Sequence, residues 1–256
     1  LFYRVGQFLR RVQLNSLAKG FGTVSVPRID TDAVRSLKPP RLEITPDACS
    51  VEDVISALES CEFPDEMTGN SKGEPPTDCS KDSVCDVRDA WEPARLQLLT
   101  LLLFSGVETS GDGRRIAELV GRKAIQWIRE NPFPKGTHYT FSMEPALRIP
   151  VFFYCLKFLD DLTGAERKLM LGAIYRHGWL VARRLSLYSS LGNHTIAEAV
   201  GLVFGGGVYR STGEGRKWID TGIRLLSQKL PYQIHADGGP REQSFNYHRF
   251  VLDLYW

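Results

Sequence analysis

From Asp89 onward, apolar residues recur every three to four positions, which predicts a succession of amphipathic helices rather than strands. Ala90–Phe104 is apolar almost all round and is expected to be buried, ending before Gly111–Gly113. Arg114–Glu130 carries Ile116, Leu119, Val120, Ala124, Trp127 and Ile128 on one face. Asn131–Tyr139, with Pro132, Pro134 and Gly136, reads as a loop. Ser142 is placed to cap the next helix, which runs to about Leu162 and contains Pro150, so a kink is expected. Helices follow at Ala165–Leu187, Asn193–Tyr209 and Gly215–Leu230, then an extended piece, Tyr232–Ala236. A last helix starts near Ser244 and carries no stop signal before Trp256.

The chain before Asp89 has a different texture. Tyr3–Lys19 is patterned as a helix closed by Gly20-Phe21-Gly22. Thr23–Pro46 is extended, Ser50 opens a short helix, and Phe63–Lys81 has the turn-forming composition of a long surface loop. Two parts result: residues 1–86, a helix followed by an extended, acidic, loop-rich segment, and residues 87–256, a helical body. In the body, pairs repeat at intervals of about 45–55 residues and each pair needs neighbours to cover its apolar side. The fold class is therefore all-α, and either a solenoid or an α/α toroid of antiparallel helix pairs meets that requirement.

Composition narrows the function classes. With 43% hydrophobic and 24% charged residues the chain is an ordinary globular one, and no apolar run approaches the roughly 20 residues of a membrane span. The formal net charge is +2, but residues 46–90 are strongly acidic and residues 91–256 mildly basic. A basic body suits an acidic polymer, although solvated helix faces would give the same balance. No basic run with interleaved aromatics suggests nucleic acid. Of the cysteines, Cys49, Cys61, Cys79 and Cys85 lie in the acidic segment and can pair in an oxidising compartment. Cys155 falls in an apolar helix and is expected to be a free core thiol. There is no Cys-x-x-Cys spacing, so a zinc cluster is not expected, and no other metal or cofactor is expected in this chain. The chain begins at Leu1 and has no signal-peptide pattern, which reads as a fragment or a processed form.

Two stretches carry the candidate chemistry. In Leu191–Leu202, Asn193 is read as the N-cap of a buried helix, which sets an amide and the imidazole of His194 at a positive dipole end, a place to hold an anion. The plain alternative is a capping Asn and a loop His. The second stretch is Ile234–Trp256, with Asp237-Gly238-Gly239-Pro240 followed by Arg241-Glu242-Gln243-Ser244-Phe245-Asn246-Tyr247-His248.

Together with Asp86–Arg95 and Ser142–Arg148, these stretches resemble, in the same order, segments of the heparinase II/III-like polysaccharide lyases. The resemblance selects the toroid, incomplete here because the last helix has no stop. It implies β-elimination on a uronic-acid-containing acidic polysaccharide, a periplasmic or secreted location, and a C-terminal β-sheet domain with a further catalytic histidine beyond this chain. It makes Asn193 and His194 the groups that neutralise the substrate carboxylate, and Tyr247 the catalytic acid, or base where nearby cations lower its pKa.

Further candidates for substrate contact are Glu144, Arg148, Tyr139, Glu242, Gln243 and His248. Glu144 and Arg148 are four apart and read first as an internal ion pair. Trp91, Glu92 and Arg95 read first as core and salt bridge. Tyr139 stands where the family tends to have Trp and is expected to stack on a sugar. Glu242 and Gln243 are placed to position His194 or Tyr247 or to cap the last helix, and Glu198 to bond His194 or an arginine. His177 reads as structural; His235 is open to either reading. Two other functions remain: a toroid that binds acidic sugars without cleaving them, and a glycoside hydrolase using two of Glu144, Glu198, Asp237 and Glu242.

Overall fold

The computed structural model describes residues 26–29, 94–108, 113–188 and 192–255. The expected elements of residues 1–86 lie outside them, apart from residues 26–29, where Val26 and Ile29 pack against the core without regular structure. Among the described residues the regular structure is helical, and the one β feature is an isolated bridge between Ile234 and Pro240.

Among the described residues seven α-helices follow in order: α1 (Gln97–Glu108), α2 (Gly113–Glu130), α3 (Met143–Phe158), α4 (Gly164–Arg183), α5 (Asn193–Val208), α6 (Gly213–Lys229) and α7 (Phe245–Tyr255). Short 3-10 turns lie at Thr137–Tyr139 and Leu230–Tyr232. Each helix packs on its chain neighbour within the pairs α1–α2, α3–α4 and α5–α6. The odd-numbered helices also pack in series, α1 on α3, α3 on α5 and α5 on α7, while α2 packs on α4. This is a double layer of helix pairs, the packing a helical toroid is built from.

Sequence explains which layer each helix joins. α2 is strongly amphipathic: Ile116, Leu119, Val120, Ala124, Trp127 and Ile128 are buried while Arg114, Arg115, Glu118 and Arg122 face water. α3 is apolar on all sides and almost wholly buried, and it runs unbroken through Pro150. α4 starts at a capping box: Thr163 Oγ1 accepts from the Glu166 amide at 3.3 Å and the Thr163 amide donates to Glu166 Oε2 at 2.9 Å. Ser142 holds the N-cap position of α3 but makes no side-chain cap bond; its hydroxyl donates to the Arg184 carbonyl at 2.7 Å and ties the start of α3 to the end of α4. α1 begins only at Gln97, after Leu96 adopts a positive φ of 61°, and its Leu98 and Leu101 are exposed, so it is less buried than its apolar composition predicts. Cys155 is a free, fully buried thiol, as expected.

α5 is gripped from two sides by close backbone approach. A Cβ on Gly201 would lie 2.8 Å from both Cα and O of Ala146 in α3, and a Cβ on Gly222 of α6 would lie 2.6 Å from the Ala199 carbonyl of α5. Glycine at these positions allows the helices to touch backbone to backbone.

On α7, Val251 is buried and Phe250 and Leu254 are half-buried against the body. The exposed apolar side chains are instead Phe245, 89% exposed, and Leu252. Trp256 lies outside the described residues. No helix among the described residues is long and apolar enough to cross a membrane.

Candidate functional site

The N-terminus of α5 differs from the expectation of an Asn cap. Gly192 occupies the cap position, without a side chain, and Asn193 is the first residue inside the helix. Asn193 is only 7% exposed. Its Nδ2 donates to Glu242 Oε2 at 3.2 Å, and its Oδ1 is buried with no hydrogen-bond partner. The side chain instead spends a donor on the Glu242 carboxylate.

Glu242 reaches Asn193 from a loop of defined shape. The His235 amide donates to the Gly239 carbonyl at 2.8 Å and the Arg241 amide to the Gln233 carbonyl at 3.0 Å, closing the turn around the Ile234–Pro240 bridge. Gly238 and Gln243 take positive φ values of 87° and 48°, which turn the chain back before α7. Glu242 then lies directly on Gly192: a Cβ at position 192 would overlap its Oε1 and would come within 3.5 Å of Gln233 Nε2. Only a glycine leaves room for the carboxylate at this helix mouth, where the dipole favours negative charge.

The other residues around this mouth come from α5 itself, the loop before α3 and α7. The His194 ring is half-buried and meets Phe141 edge-on, with centroids 6.2 Å apart. Tyr247 and His248 lie near the start of α7, which packs on α5. Tyr247 is 52% exposed, whereas His248 is half-buried with its Nδ1 buried and unpartnered. Gln243 and His235 are exposed. A helix N-terminus, an amide with unused hydrogen-bonding capacity and an accessible phenol can together hold an anionic group and move a proton near it.

Glu144, Arg148 and Tyr139 fall elsewhere, in the core between α1, α2, α3 and α4. Arg148 is fully buried, and it does not form the expected ion pair with Glu144. Its guanidinium donates to the Ala94 carbonyl at 3.1 Å, the His138 carbonyl at 2.7 Å and His177 Nε2 at 3.4 Å, and stacks over Trp127 at 4.5 Å. Glu144 instead takes two bonds from Arg95, each of 3.1 Å, which satisfies the salt-bridge reading of Arg95. Tyr139 is 1% exposed and donates to the Asn131 carbonyl at 3.0 Å, so in this structure it presents no face for a sugar.

This cluster has its own electrostatics. Burial, with the Arg148 charge added, pulls His138 down to about 4 and holds His177 well below its ordinary range. His177 is therefore neutral at pH 7. Because Nε2 accepts from Arg148, the proton is assigned to Nδ1, which donates to the Ala173 carbonyl at 2.6 Å. Burial also lowers Arg148, to about 10, which leaves it charged. His177 is structural, as its sequence context suggests.

Glu198 accepts from the amide and hydroxyl of Ser186 at 2.7 and 2.8 Å. Asp237 Oδ1 accepts from the Gly239 amide at 3.0 Å. All four carboxylates considered for a hydrolytic pair are thus engaged by protein donors. Gly192, Gln233 and Phe141 were not singled out from sequence. The Gly-Asn step was the available signal for Gly192, since glycine is itself an acceptable N-cap. Trp91 and Glu92 lie outside the described residues.

Comparison with known proteins bears on this arrangement. No solved structure matches the chain. A heparin-sulfate lyase of Bacteroides thetaiotaomicron is 36% identical over 69 residues, 27% of this chain and 10% of the relative. Heparin-sulfate lyases of Pedobacter heparinus and Bacteroides stercoris are 32% identical over 68 residues and 28% identical over 71. These alignments cover 27% and 28% of this chain and only 10% and 11% of the relatives. The family described as heparinase II/III N-terminus matches residues 108–255, a span that includes α2 to α7 and both walls of the α5 mouth. The match takes in more than half of the chain, which belongs to the heparinase II/III N-terminal family.

Proposed function

We propose that this chain is the helical part of a polysaccharide lyase that cleaves a uronic-acid-containing acidic polysaccharide by β-elimination. The polymer class is a glycosaminoglycan such as heparin or heparan sulfate, or an alginate-like polymer. The observation that carries the reading is the buried Asn193 amide at the mouth of α5, whose donor Nδ2 spends one N–H on Glu242, with an accessible tyrosine on the helix that packs against α5. Family membership and the named activity of the relatives support it.

The chemistry follows from the acidity of the substrate. The C5 proton of a uronate is held tightly while the neighbouring carboxylate keeps its charge. Donors from Asn193, His194 and the α5 N-terminus withdraw that charge, so the enolate-like intermediate forms at lower energy. A base removes the C5 proton and the bond from C4 to the glycosidic oxygen breaks, leaving a C4–C5 double bond. The Tyr247 hydroxyl delivers a proton to the departing oxygen. A C-terminal β-sheet domain carrying a further histidine completes the proposal, and the periplasm or the cell exterior, where such polymers are met, is the proposed location.

The test is made on the full-length protein with a panel of uronic-acid polymers. Ultraviolet absorbance of the unsaturated product is expected, and Tyr247→Phe should lower turnover by at least ~10²-fold while polymer binding survives. A plain reducing end in place of the unsaturated one would show a hydrolase. Binding with neither product would show a carbohydrate-binding module.

A further inference from the structure

We infer that Glu242 is a positioning residue for Asn193, its carboxylate fixing which end of the amide faces the substrate. The inference rests on the lyase reading above and adds to it a residue outside the Asn193, His194 and Tyr247 set.

An asparagine side chain presents a carbonyl and an NH₂ group of nearly the same shape, and either can face a ligand. A neutralising role requires the NH₂ end. An ionised carboxylate has no proton to donate, so the only stable contact with Glu242 is through Nδ2. The 3.2 Å bond from Nδ2 to Glu242 Oε2 therefore settles the orientation. It uses one N–H, and the second, on the same nitrogen, is the one assigned to the ligand. The cost of this orientation is visible on the other side: Oδ1 is buried with no partner. A free choice of rotamer would avoid that arrangement, because an orphaned buried carbonyl is unfavourable. Something must hold it there, and Glu242 is the group in contact.

The surroundings are shaped to that contact. The absence of a side chain at Gly192 admits the carboxylate, and Gln233 lies beside the same spot. The bonded turn from Gln233 to Arg241 and the left-handed Gln243 aim the loop at the helix mouth. Glu242 is otherwise an exposed loop residue, so its reach inward to a buried amide 49 positions away is not explained by packing.

The experiment uses the full-length protein. Glu242→Ala should lower kcat on the order of 10²-fold, the scale of a misplaced reacting group, with KM changed much less. Glu242→Gln keeps an acceptor oxygen and should restore most of the lost turnover. Wild-type kcat in Glu242→Ala would overturn the inference. So would a Glu242→Gln variant as impaired as Glu242→Ala, which would point to charge or proton transfer by Glu242 itself. A fall in KM at unchanged kcat would also overturn it, by showing a carboxylate that merely fills the substrate's place. A second measurement is independent of turnover. The side-chain NH₂ resonances of Asn193, assigned by their loss in Asn193→Ala, should shift as the Glu242 carboxylate titrates and stay fixed in Glu242→Gln. Resonances that do not move would overturn the pairing. If the wild type forms no unsaturated product, the lyase reading fails, and the resonance measurement alone decides whether Glu242 orients Asn193.

Discussion

The Arg148 cluster and the mouth of α5 contain the same kinds of residue, arranged to opposite ends. Around Arg148, an arginine, two histidines, a tyrosine and a nearby glutamate are closed from water, and the arginine's donors are met by protein acceptors. At the α5 mouth an asparagine carbonyl is buried without a partner, and α7, which packs on α5, carries a half-exposed tyrosine and a histidine whose Nδ1 is buried and unpartnered. Each region leaves a buried atom unpaired, His138 Nδ1 beside Arg148 and Asn193 Oδ1 at the mouth, so access is what distinguishes them: the first is closed from water, whereas His194 is half-buried and Glu242 exposed at the second. The contrast separates candidates that the motifs alone present as equals: Ser142–Arg148 and Asn193–His194 both resemble family segments, but only the second reaches solvent.

The largest effect that could break this comparison is on stability. Arg148→Ala removes a buried charge, leaves the Ala94 and His138 carbonyls unpaired and opens a cavity against Trp127. It should destabilise the protein by roughly 3–5 kcal/mol, read from the denaturant midpoint. A loss under about 1 kcal/mol would show that the cluster is not structural.

Acid should act on the same cluster. Unfolded histidine titrates near 6.5, whereas folded His138 takes a proton only at about 4 and His177 lower still. Below pH 6.5 the unfolded chain binds protons that the folded one refuses, so stability is full above that pH and falls as pH drops, until each folded value is passed. The slope approaches ~1.4 kcal/mol per pH unit for each histidine. Unfolding free energies at pH 7 and pH 5 test this, and His177→Gln should flatten part of the slope.

The two tyrosines give a crossed test. Tyr139→Phe loses the bond to the Asn131 carbonyl and should cost about 1 kcal/mol of stability while leaving kcat unchanged. Tyr247→Phe should do the reverse. A drop in turnover for Tyr139→Phe at constant stability would return it to the list of substrate contacts.

The smallest expected change sharpens the picture of α5. A capping Asn replaced by Ala would cost up to ~2 kcal/mol, but Asn193 caps nothing here. Asn193→Ala should shift stability by no more than about 0.5 kcal/mol, since removing the amide also removes its orphaned carbonyl. Thermal unfolding beside the product assay would show whether activity is lost without stability.

Local rules made α2 legible almost to the residue, because its apolar stripe and polar face alternate over five turns. The helical class and the pairing of helices followed from the same periodicity. The start of α4 was equally local: Thr163 and Glu166 stand at the capping-box spacing, yet the pattern of apolar residues alone places the helix one position late. What sequence did not disclose depends on distant partners. Asn193 has every local mark of a cap and loses that role to a carboxylate 49 residues on. Tyr139 sits in a loop of prolines and glycine, and only the approach of Phe133, Trp127 and Arg148 closes it in. Arg148 looks like a partner for Glu144 until Arg95, 49 residues before Glu144, takes that carboxylate first.

The glycine contacts on either side of α5 set where motion can occur. With Gly201 seated on the Ala146 backbone and the Ala199 carbonyl pressed to Gly222, α5 can neither slide along α3 nor roll against α6 without steric overlap. Asn193 and His194 therefore ride on a fixed axle. Any movement at this mouth falls to the other wall, the turn from Gln233 to Gln243 and the helix that follows it. Amide exchange should be slow along α5 and fast across that turn.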